Sequence, residues 1–97
     1  MDVNPEKITI KVSSEEGLFY AFQTLRQLLP SQIESELECK KIDWVVPSVH
    51  VADEPRFGYR GLMVDVARYF ISKEHLLRII DCMGMLKLNK LHLHLTD

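Results

Sequence analysis

Two cysteines, Cys39 and Cys82, are too few to staple a 97-residue chain into a disulfide scaffold. They can pair in principle. One falls in a loop-like segment and the other in a helix-like one, so both read as free thiols, and neither stands at a metal-ligand spacing. No apolar run nears the length that crosses a bilayer, so no membrane partner is expected. The opening residues, Met1 to Lys7, are polar on balance and hold no signal-peptide pattern. A basic stripe is also missing. The formal net charge is -2 with both signs interleaved, which argues against a nucleic-acid partner. Hydrophobic residues at 46% and charged residues at 27% exclude a disordered chain and fit an ordinary globular one. At 97 residues the chain sits at the low end of what buries a self-sufficient core.

What is present is patterned. Lys7 to Val12 alternates polar and apolar residues with the period of a half-buried strand. Ser13-Ser14-Glu15-Glu16 offers a capping box, Ser13 as cap and Glu16 reaching back. An amphipathic helix follows from Gly17 to Leu29, with Leu18, Ala21, Phe22, Leu25, Leu28 and Leu29 on its apolar face and Pro30 as its stop. Ser31 to Asp43 reads as a solvated connection with a short strand near its end. A second extended stretch runs from Trp44 to Val51, and the composition shift around Pro55 to Gly58 marks a domain boundary.

Beyond it the period changes. Gly61 to Val66 is nearly continuous apolar sequence, which suits a strand covered on both faces. Ser72 caps a helix reaching about Leu88, its stripe formed by Leu76, Ile79, Ile80, Met83 and Leu86. Lys90 to Thr96 alternates again. Strand, helix and strand with short links predict a right-handed βαβ unit. One such unit cannot cover both faces of its sheet, so a longer protein is expected to continue past Asp97.

Three features bear on chemistry. Asp65 and Arg68 lie at the carboxyl end of an apolar strand, where α/β folds place their sites. An arginine there can donate a forked pair of hydrogen bonds to ligand oxygens. The alternative is that Arg68 pairs with Asp65 or caps a helix end. His92 and His94, two apart on a strand, share a face and can share a metal, with Asp97 close in sequence. Packed, hydrogen-bonded histidines are the preferred reading, and no metal is expected. Met63, Met83 and Met85 read as core filling.

Two segments taken together carry a resemblance: Arg60-Gly61-Leu62-Met63-Val64-Asp65-Val66-Ala67-Arg68 and Lys87-Leu88-Asn89-Lys90-Leu91-His92-Leu93-His94-Leu95-Thr96-Asp97. They resemble the first and second barrel strands of family 20 glycoside hydrolases, the β-N-acetylhexosaminidases. Glu16 to Leu29 is similar to the helix of the small α/β domain before that barrel, and Trp44 to Pro47 and Asp53 to Gly61 resemble the linker. Tyr69 departs from a frequent histidine and Leu93 from a frequent aromatic.

The resemblance implies an α/β fragment. Residues 1–55 would be part of the non-catalytic α/β domain, and residues 56–97 the first strand, helix and second strand of an incomplete TIM (β/α)8 barrel. It implies a retaining hydrolase of N-acetylhexosamine-containing glycans, using the substrate's acetamido oxygen as nucleophile. Arg68 would grip hydroxyls of the terminal sugar, and Asp97 would support the site through a hydrogen-bond network with a histidine and the acid glutamate. Asp65 would be structural, holding the strand end and Arg68, and His92 and His94 receive no catalytic role. The family's Asp-Glu acid pair lies beyond the second strand, so no catalytic residue is assigned and this piece alone is expected to be inactive. No cofactor is implied, and the parent would be exported or lysosomal. A competing reading is an interaction module that self-associates through its uncovered apolar face.

Overall fold

The computed structural model describes residues Met1 to Asp97, which divide into two compact units, Met1–Glu54 and Pro55–Asp97. In the first, β1 (Asp2–Val3) lies between β2 (Ile8–Thr9) and β3 (Val49–His50), antiparallel to both. The β1–β2 hairpin is closed by Asn4, whose side-chain oxygen accepts the N–H groups of Glu6 and Lys7, each at 2.9 Å. That local bond and Pro5 bend the chain before any strand period can develop. Only Ile8 and Thr9 of the alternating run pair with a neighbour, so the strand is shorter than the alternation predicts. Ser31–Glu34 forms a 3-10 turn, and no strand forms near the end of the connection that follows.

Helix α1 spans Glu15–Leu28 and is capped by Ser14, not Ser13. Ser14 is extended, and its Oγ accepts from the Gly17 N–H at 3.0 Å. The frame is one residue later than the capping box requires. The third helical position is therefore Gly17, which has no side chain to reach back, and Glu16 closes no box. Glu15 and Glu16 still favour the positive end of the helix dipole. Leu29 leaves the helix in an extended conformation, as a residue before proline must.

In the second unit β4 (Gly61–Asp65) and β5 (Lys90–His94) pair in parallel, Gly61 opposite Lys90 through Asp65 opposite His94. Helix α2 (Lys73–Met85) makes the crossover. Ser72 caps it, accepting from the His75 N–H. Its C-terminus turns on Lys87, a non-glycine residue at φ 60. The Leu88 N–H bonds the Met83 carbonyl at 2.9 Å and the Lys87 N–H bonds the Gly84 carbonyl at 3.1 Å, the paired closure of a Schellman end. Asn89 then pins the chain to the start of β4. Its side chain accepts from the Arg60 N–H at 2.9 Å and donates to the Gly58 carbonyl at 2.8 Å.

Little of this is covered. Val3, Val64 and Met83 are the buried apolar residues, while Ile80 and Leu86 of the α2 stripe and Leu62 and Met63 of β4 are exposed. The helical and strand periods are right about which faces are apolar; most of those faces meet no neighbour within the chain.

Candidate functional site

The parallel register decides what meets what beyond the sheet. Asp65 ends β4 and His94 ends β5, directly opposite one another, so both strands release their chains at the same edge. The last ladder bond runs from the Val66 N–H to the His94 carbonyl at 3.1 Å. Past it, the N–H groups of Ala67 and Arg68 turn to Asp65, whose Oδ1 accepts both at 2.9 Å. This turn lifts Arg68 out of the strand line.

On the neighbouring strand, Asp97 folds back toward its own strand. Its Oδ1 lies 2.9 Å from His94 Nε2 and its Oδ2 lies 3.6 Å from Arg68 Nε. A carboxylate only accepts, so His94 donates from Nε2. At 3.6 Å the Arg68 contact is an ion pair and not a hydrogen bond. Arg68 thus pairs with Asp97 through its head and with Asp65 only through its backbone. The Arg68 and Asp97 side chains are 73% and 68% exposed, so the guanidinium fork stays open to oxygens arriving from solvent.

The two predicted site residues therefore stand together at the carboxyl ends of adjacent strands. His94 joins them, a residue expected to be hydrogen-bonded but given no catalytic role. His92 and His94 share a strand face, and His94 is hydrogen-bonded as the preferred reading expects, its partner lying three residues on where the chain bends back. No group of three or more His, Cys, Asp or Glu side chains is arranged to hold a metal ion. Cys39 and Cys82 are both unpaired.

Comparison with known proteins settles the family. Residues 1–54 match the model for glycosyl hydrolase family 20, domain 2, and residues 57–97 match that for glycosyl hydrolase family 20, catalytic domain. The chain belongs to glycosyl hydrolase family 20. Among its relatives, a beta-hexosaminidase of Porphyromonas gingivalis is 48% identical over 93% of this chain and 12% of its own length. An N,N'-diacetylchitobiase of Vibrio harveyi is 44% identical over 100% of the chain and 10% of its own length. The solved family 20 beta-N-acetylhexosaminidase of Streptomyces coelicolor superposes with a TM-score of 0.77 at 43% identity, over 84% of this chain and 16% of that one. The chain thus spans well under a fifth of these relatives.

Proposed function

We propose that this chain is a segment of a retaining β-N-acetylhexosaminidase that releases terminal N-acetylglucosamine or N-acetylgalactosamine from glycans. The observation that carries the reading is the meeting of Arg68 and Asp97 at one strand edge, reached through matching β4–β5 register. In this reading residues 1–54 belong to the accessory α/β domain, and β4, α2 and β5 open an eight-stranded barrel. The uncovered apolar faces of β4 and α2 support that placement, because barrel strands are buried on both sides by their neighbours.

Arg68 donates its fork to hydroxyls of the terminal sugar. Asp97 places a counter-charge beside that fork and is itself bonded to His94. The acetamido oxygen of the substrate serves as nucleophile, outside the usual two-carboxylate scheme. The proton donor to the leaving oxygen and the group that orients the acetamide come from other parts of the enzyme, so the 97-residue chain by itself turns over no substrate.

The test compares the complete enzyme with the isolated chain on chromogenic β-N-acetylglucosaminide and β-glucoside. Release from the N-acetyl substrate by the complete enzyme alone supports the proposal. Equal release from both glycosides contradicts acetamide participation, and release by the isolated chain contradicts the assignment of the acid to another segment.

A further inference from the structure

Asp65 is an acidic residue beside the site that the proposed mechanism does not use. It closes β4, and its carboxylate is spent on the backbone: Oδ1 takes the N–H groups of Ala67 and Arg68, both at 2.9 Å. No strand carbonyl is left for those two donors, because the ladder with β5 ends at the Val66 N–H bond to His94. Without Asp65 they would be satisfied only by water, and the turn over residues 66–68 would lose its one side-chain anchor. Arg68 is largely exposed and meets Asp97 at 3.6 Å, too far for a hydrogen bond. Its head is therefore held loosely. The direction in which the guanidinium leaves the strand edge is set mainly by the backbone under it.

We infer that Asp65 is a positioning residue for Arg68: it touches no sugar, and it aims the guanidinium by fixing the turn that carries it. The inference rests on the sugar-gripping role proposed for Arg68. A charged acceptor shared by two N–H groups suits the task, since such bonds are shorter and stronger than neutral ones. Small misplacements of a gripping group weaken transition-state binding disproportionately.

The test is a double-mutant cycle in the complete enzyme, with kcat, KM and thermal melting read for each protein. Asp65→Ala is expected to lower kcat/KM about tenfold or more, split between kcat and KM as for Arg68→Ala. Added to Arg68→Ala, it is expected to cost less than about twofold further, because the two act through one group. Asp65→Asn keeps the Oδ1 acceptor and is expected to stay within about threefold of wild type. A loss that multiplies equally in both backgrounds, or that follows the folded fraction, overturns the inference and leaves Asp65 merely structural. Should Asp65→Ala not fold, Asp65→Asn decides alone: near-wild-type activity supports the acceptor role, and an Arg68→Ala-like loss overturns it. An Arg68→Ala enzyme with unchanged kcat/KM overturns the proposed role of Arg68 and this inference with it; a large Arg68→Ala loss beside an indifferent Asp65→Ala overturns this inference alone.

Discussion

Arg68 Nε and Asp97 Oδ2 stand 3.6 Å apart although helix α2 and strand β5 separate them in the chain. Both side chains are mostly exposed, and exposed ion pairs contribute between nothing and about 1 kcal/mol to stability. The pair is therefore a poor reason for the fold and a good arrangement for a ligand. Asp97→Asn in the complete enzyme is expected to change unfolding free energy by less than about 1 kcal/mol. The same substitution is expected to lower kcat/KM about tenfold or more. Parallel loss of stability and activity would place Asp97 in the fold and not in the site.

His94 holds the other oxygen of Asp97 at 2.9 Å. Replacing it with Phe keeps a planar ring and removes the donor. The expected loss in kcat/KM is smaller than that of Asp97→Asn, and the two losses are expected not to multiply when combined, since both act on one carboxylate. Independent, multiplying losses would show that His94 works elsewhere.

Much of this arrangement is legible in the residue pattern, and the exceptions have physical causes. Three- and four-residue spacing locates α1 and α2, Ser72 marks the start of α2, and the apolar run from Gly61 to Val66 locates β4 to within one residue. Strand β1 is not legible, because two residues carry no period and its existence depends on the side-chain turn at Asn4. The cap of α1 is ambiguous between adjacent serines, and only backbone geometry selects Ser14. Periodicity names the apolar face of α2 but not whether anything covers it, so Ile80 and Leu86 read as buried from the pattern and are exposed in the chain. At the site, the strand-end positions of Arg68 and Asp97 are legible in the pattern, while the roles expected of them come from the resemblance alone. The link to His94 depends on how the chain bends after β5, which no alternation encodes.

Asn89 joins the end of the crossover to the start of β4 with two side-chain bonds, to the Arg60 N–H and the Gly58 carbonyl. Both lie at the surface, so water recovers part of their loss. Asn89→Ala is expected to cost about 1–2 kcal/mol, read as a lower urea midpoint with an unchanged slope. An unchanged midpoint would mean that the Lys87 turn alone sets the entry of β5.

Asp2 and His50 are register partners on β1 and β3, and their side chains bond directly. The hydrogen bond with His50 holds the Asp2 carboxyl below its ordinary value of 3.8; desolvation opposes it, and the charges of His50, the N-terminus and Lys11 add to the lowering in that order. A lowered folded-state pKa contributes stability that is present above 3.8 and lost as pH falls through the folded value. Carbon-detected NMR titration of Asp2 is expected to give a midpoint below 3.8, and a higher one in His50→Ala. A midpoint that ignores His50→Ala would contradict the cross-strand bond.

The most direct test of the sugar-gripping site is the kinetics of Arg68→Lys in the complete enzyme on a chromogenic β-N-acetylglucosaminide. Lysine keeps the charge beside Asp97 but cannot donate a planar fork. Losing one charge-assisted hydrogen bond of a forked pair costs about 1.5–3 kcal/mol, so kcat/KM is expected to fall by roughly 10- to 150-fold with the melting curve unmoved. An Arg68→Lys enzyme with wild-type kcat/KM would contradict the account, because it would show that only the charge, or nothing, at residue 68 serves the substrate.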